Sequence, residues 1–116
     1  MVRNMFKTEE SRLACEKVLE AVQKLPETLI DEKKTSLHIV AGGAAFLGVH
    51  PRTDGVCLNI VLSHRLDGPR IVKCEQVSKF RYHVEVDVPG GVEIDPELLR
   101  WIYEAYGLRM PLPTVE

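Results

Sequence analysis

Arg81, His83, Glu85 and Asp87 alternate with Tyr82, Val84, Val86 and Val88, so a strand would set the four polar side chains on one face. A histidine two residues from a glutamate can tune an imidazole for proton transfer or supply two metal ligands. The same pattern also makes the ordinary mixed-charge solvent face of an antiparallel sheet. His83-x-Glu85 begins the zinc-deaminase signature, but the Pro-Cys-x-x-Cys that completes it is absent.

Other cationic groups sit where strands should end. His50-Pro-Arg52 and Pro69-Arg70 each place an arginine beside a rigid proline, where a guanidinium can hold a carboxylate or phosphate as a fork. Against that, Arg70 can pair with an internal acid, Asp67 or Glu75, and simply hold a turn. Lys33-Lys34-Thr35 offers two ammonium groups and a hydroxyl to an anion, or a charged strand end that discourages edge pairing. Trp101, Tyr103 and Tyr106 resemble a stacking platform, yet Trp101 falls on an apolar helical stripe and belongs to the core. Tyr106 reads as a core-edge residue whose hydroxyl finds a partner.

The charge is segregated along the chain. Residues 1–32 hold five Lys+Arg and seven Asp+Glu, residues 33–83 eight and three, and residues 84–116 two and seven. The segment balances are −2, +5 and −5 within a net charge of −2. All four histidines, His38, His50, His64 and His83, lie in the basic middle. Such a layout points to an anionic partner for the middle segment.

Several chemistries find no support. The chain has no P-loop, no Gly-x-Gly-x-x-Gly, no Gly-x-Ser-x-Gly, no His-Glu-x-x-His and no EF-hand loop. Cys15, Cys57 and Cys74 are too scattered for a disulfide framework and lack a Cys-x-x-Cys, which fits reduced, buried thiols and a cytoplasmic setting. Neither metal nor cofactor is expected. No apolar run approaches the ~20 residues a membrane span requires, and residues 1–10 lack a signal-peptide core.

The elements that would position these groups follow from period and punctuation. A length of 116 residues fits a single domain over 1–116. Thr8 caps a first helix whose stripe is Ala14, Val18, Ala21, Val22 and Leu25, with Pro26 as its stop. From Thr28 to Val88 the period shortens to that of a strand meander. Leu37 and Ile39 alternate with Ser36 and His38, and a run from Phe46 to Pro51 leads to the turn Arg52-Thr-Asp-Gly55. Val56, Leu58, Ile60 and Leu62 face one way, and Cys57, Asn59 and Val61 the other, so both sides of that strand are expected to be covered. Strands over Arg70–Val77 and Arg81–Val88 follow, joined at Ser78-Lys79-Phe80. Asp95-Pro96-Glu97 opens the last helix, whose stripe is Leu98, Trp101, Ile102 and Ala105, with Gly107 as a left-handed cap and 108–116 as an extended tail. The expected fold is α+β: about five antiparallel strands, flanked by an N-terminal and a C-terminal helix that both pack on one sheet.

Taken together, Lys34-Thr-Ser-Leu-His-Ile-Val40, Phe46, His50-Pro-Arg52, Asp67-Gly-Pro-Arg70, Glu75-Gln-Val-Ser78, His83, Glu85-Val86, Ile94-Asp-Pro-Glu-Leu-Leu99, Trp101 and Glu104-Ala-Tyr106 resemble an uncharacterised bacterial family. That family is the domain of unknown function numbered 5655 in its series, some members of which carry the label "predicted transport protein". The resemblance covers residues 34–107 and brings no reaction, ligand or catalytic residue with it. Gly42-Gly-Ala-Ala45 departs from it, since many relatives carry more polar or basic side chains there. The order of elements is also similar to that of the YjbR-like double-wing proteins, for which DNA binding has been proposed.

Three functions are therefore expected, in this order. The first is a non-catalytic module that binds an anionic partner, a phosphate-bearing ligand or nucleic acid, through Lys34, His50, Arg52, Arg70, Lys79, Arg81 and His83. The second is a protein-interaction or homo-oligomer-forming adaptor that uses a sheet edge or face. The third is a small enzyme with His83 or His50 as general base beside Glu85 and an arginine.

Overall fold

The computed structural model describes residues 5–91 and 93–110. The first helix, α1 (Glu9–Gln23), starts where Thr8 accepts a hydrogen bond from the Ser11 amide, with Glu9 and Glu10 at the positive end of its dipole. Six strands follow: β1 (Leu29–Glu32), β2 (Leu37–Ala41), β3 (Ala44–Pro51), β4 (Gly55–Leu62), β5 (Ile71–Ser78) and β6 (Arg81–Pro89). The chain closes with α2 (Pro96–Arg109), capped by the Asp95 carboxylate on the Leu98 amide at 2.8 Å. The strands form one antiparallel sheet in the order β1-β2-β3-β4-β6-β5.

Among the described residues the sheet thus has six strands where about five were expected. The additional one is β1, a four-residue edge strand with every residue exposed, which carries no alternation to announce it. Both helices lie on one face, over Val56, Leu58, Ile60 and Leu62 of β4 and their register partners Val88, Val86, Val84 and Tyr82 of β6. Leu37, Ile39, Phe46, Leu47 and Val49 extend this core across β2 and β3, and Phe6 joins it from the N-terminal side. Cys15 and Cys57 are buried and Cys74 is half-buried, with no disulfide joining them.

Helix α2 runs two residues past Gly107, so that glycine is not its cap. The C-cap is Met110, whose amide bonds the Tyr106 carbonyl at 2.8 Å. Leu108 and Arg109 are accordingly helical rather than extended, while the rest of the expected tail, 111–116, falls outside the described residues. Tyr106 is buried against Phe46, edge to face at 5.6 Å, and its hydroxyl donates to the Pro26 carbonyl at 2.7 Å.

Two glycines act through proximity. Gly55 does not adopt the positive φ expected of a hairpin Asp-Gly; its α-carbon is pressed against β6, and a Cβ there would overlap the Val88 carbonyl oxygen. Gly42 does take φ 59°, and it abuts the Arg109 carbonyl at the end of α2. On the far edge, β5 steps out of register with β6 twice, at Val72 and at Val77, leaving Lys73–Gln76 as its regular stretch.

Candidate functional site

The face of the sheet away from the helices carries the residues that the alternation predicts. The pairing Asp31↔His38↔Gly48↔Asn59↔Glu85↔Lys73 runs across all six strands as one row of side chains. The neighbouring rows add His50↔Cys57↔Asp87 on one side and Val61↔His83↔Glu75 on the other. Gly48 has no side chain, so the row dips at β3, and a hollow of about 130 Å³ opens there. Its walls include His38, His50, Asn59, Val61, Arg81 and His83.

The His50 ring leans over the gap, its Nε2 3.3 Å from where a Gly48 Cβ would stand. No helix among the described residues covers this side, yet Val61, which lines the hollow, is only 9% exposed. Cys57, beside it under His50, is likewise buried.

The electrostatics follow from that partial burial. Burial holds His50 below its ordinary pKa, reinforced by electrostatic repulsion from the neighbouring His38 and Arg52. Burial and the nearby Arg81 do the same for His83, with Glu75 acting weakly the other way. Both rings are therefore neutral at pH 7, each with one N–H donor and one acceptor nitrogen. Burial also pushes the Cys57 thiol up to about 11, which leaves it inert rather than nucleophilic. The Asn59 Oδ1 is buried without a hydrogen-bond partner. A carboxamide can turn either its oxygen or its NH₂ toward such a position.

Of the seven residues expected to bind an anion, the structure brings three to this hollow: His50, Arg81 and His83. The other four are spread around the molecule. Lys34 is exposed in the β1–β2 connection, Arg52 in the β3–β4 turn and Lys79 in the β5–β6 turn, where its ammonium lies 5.4 Å from the Phe80 ring centroid. Arg70 is committed elsewhere, and not to Asp67 or Glu75. Its guanidinium bridges Asp95 at 2.8 Å and Glu97 at 3.0 Å and lies over the Trp101 ring, fastening the entry of α2.

His38, Gly48 and Asn59 join the hollow without having been singled out as site residues, although the alternation at 37–39 and 57–61 already put the two polar ones opposite the core residues. His64 is remote from it, paired with Glu104. Among the described residues no group of three or more His, Cys, Asp or Glu is arranged to hold a metal ion, and none of their helices is long and apolar enough to cross a membrane. Searches against protein-family models, curated proteins and solved structures find no match for this chain. Any reading of function therefore rests on the geometry.

Proposed function

We propose that this domain is a non-catalytic binding module whose uncovered sheet face receives a small anionic group, a carboxylate or phosphate, at the Gly48 hollow. The observation that carries this reading is the convergence of three imidazoles from β2, β3 and β6 with one guanidinium around a floor that has no side chain. Arg81 supplies the permanent charge, and no carboxylate lies within ion-pair distance of it among the described residues. His38, His50 and His83 supply N–H donors, and the unpartnered Asn59 carboxamide supplies one more polar contact.

A small anion suits this face better than a nucleic-acid strand. Asp31, Glu75, Glu85 and Asp87 share the surface with the cations, so a polyanion lying across it would meet carboxylates on either side of the hollow. We also propose, on the motif run within 34–107 alone, membership of the family of unknown function 5655, which adds no activity.

Titration with inorganic phosphate at low salt, followed by amide chemical shifts, tests the reading. The Gly48, Asn59 and Val61 amides should move, and Arg81→Ala should weaken binding about tenfold or more. Binding should tighten as pH falls from roughly 8 to 6, because a bound anion favours protonated imidazoles. Gly48→Ala sets a methyl on the floor, against His50, and should suppress binding without loss of stability. Unmoved amides up to tens of millimolar phosphate would end the proposal.

A further inference from the structure

A second concavity of about 280 Å³ opens at the end of the sheet, between the β5–β6 turn and the last turn of α2. Leu62 and Ser63 form its base, Phe80 and Arg81 one wall, and Leu108 and Arg109 the other. Its chemistry differs from that of the hollow. Phe80 is 71% exposed and Leu108 43%, so two large apolar side chains face water across a gap, at a cost the fold itself does not require. Two guanidiniums stand beside them. Neither Arg81 nor Arg109 has a carboxylate within ion-pair distance among the described residues, and the Arg109 Nε is buried with no acceptor. By contrast, the concavity between α1 and α2 lined by Lys17, Glu20, Lys24 and Glu93 already contains the ion pair Lys17–Glu93, and its two lysines and two glutamates balance, leaving no net charge to attract an anion.

We propose that this cleft binds a small amphipathic anion, a free molecule with a carboxylate or phosphate on an aryl or short branched apolar group. The acid group lies between Arg81 and Arg109, where it receives forked N–H donors from two guanidiniums and gives the Arg109 Nε its missing acceptor. The apolar group fills the space between Phe80 and Leu108 and removes both from water. Charge complementarity selects the acid, and the single pair of facing apolar side chains limits the apolar part to about one bicyclic ring system. Two projecting side chains are too few to anchor a bilayer surface, so the occupant is a dissolved acid and not a membrane. The inference goes beyond the phosphate hollow. Only Arg81 and Val61 are common to the two sites, and none of the three imidazoles takes part.

The test uses the whole chain with 2-naphthoate, 2-naphthol and acetate, read by the amide shifts of Ser63, Phe80 and Leu108. Naphthoate should saturate with a Kd on the order of sub-millimolar, as befits a ligand of about a dozen heavy atoms. Naphthol and acetate should each bind about tenfold or more weakly, since each lacks one half of the recognition. Arg109→Gln and Phe80→Ala should each weaken naphthoate by about tenfold while the melting temperature stays put. Arg109→Lys keeps a cation against the negative end of α2 but loses the fork, so it should also bind weakly. His50→Gln should leave naphthoate binding intact while lowering phosphate binding at the hollow, which keeps the two readings separable. Naphthol binding as tightly as naphthoate, or wild-type affinity in both Arg109→Gln and Phe80→Ala, would overturn the proposal. So would sedimentation with phosphatidylglycerol vesicles in place of naphthoate binding.

Discussion

Tyr106 joins two parts of the chain that are 80 residues apart, and its ring and its hydroxyl can be tested separately. Tyr106→Phe keeps the buried ring and its edge-to-face contact with Phe46 and removes only the 2.7 Å hydrogen bond to the Pro26 carbonyl. Pro26 is exposed, so its carbonyl regains water, and the loss is the net value of one hydrogen bond, about 1 kcal/mol. For a domain of this size that corresponds to a fall in Tm of about 4 °C. Tyr106→Ala additionally empties a site that is 8% exposed. The cost should then resemble that of other large-aromatic truncations, about 3–5 kcal/mol. Urea unfolding with both variants at one pH gives the ratio directly. The hydroxyl should account for about a quarter of the total, and in Tyr106→Phe the amides of Lys24, Leu25, Glu27 and Thr28 should lose hydrogen-exchange protection ahead of the rest. If Tyr106→Phe proves as stable as the parent, with those amides still protected, the loop after α1 is held by something other than this bond and the argument is wrong.

Gly55→Ala should cost about 2–4 kcal/mol in urea unfolding, because the added methyl meets β6 backbone that can yield only by separating the two central strands. Asp95→Ala removes the α2 cap and both of its links to Arg70 and Leu98, and should cost about 1 kcal/mol near neutral pH. The Leu98 amide and Arg70 hold the Asp95 carboxyl below its usual range. Its contribution is therefore present above the unfolded pKa and lost as pH falls through the lower folded value, so the variant should show a shallower acid limb. The histidines oppose one another. His50 and His83, held low by burial, make stability fall as pH drops below about 6.5, since the unfolded chain protonates first. His64, raised by the Arg65 carbonyl and Glu104, contributes stability below that pH and loses it as pH rises through its folded value. Thermal melts from pH 8 to 5, values on the order of the usual histidine range, should thus show a steeper acid loss in His64→Gln and a flatter one in His83→Gln.

What could be read from the chain was what depends on neighbours in sequence. Thr8 and Asp95 announce their helices through cap chemistry that spans three residues, and the period of two over 81–88 and 56–62 assigns each side chain to a face. β1 escaped because Leu29–Glu32 is held by pairing to β2 and not by burial, which leaves no pattern. Gly107 has the local signature of a terminator, yet a helix tolerates a glycine for about 1 kcal/mol when its contacts continue. Here the turn beyond it packs against Gly42 of the β2–β3 connection. The partners of Arg70 lie 25 and 27 residues away, beyond any local rule. The same limit applies to the hollow. Alternation alone places Arg81 and His83 on one face, but bringing His38 and His50 beside them requires β4 to sit between β3 and β6, a choice made by long-range pairing.

The two register steps in β5 bear on how this chain behaves at high concentration. An outer strand offers its unpaired amides and carbonyls to any passing copy, and an uninterrupted eight-residue edge would let sheets join end to end. By displacing the backbone at Val72 and again at Val77, the strand shortens the usable template to Lys73–Gln76, with a charge of each sign inside it. Removing either extra residue would lengthen that template, and such a deletion should turn a well-behaved solution into one that precipitates or forms fibrils.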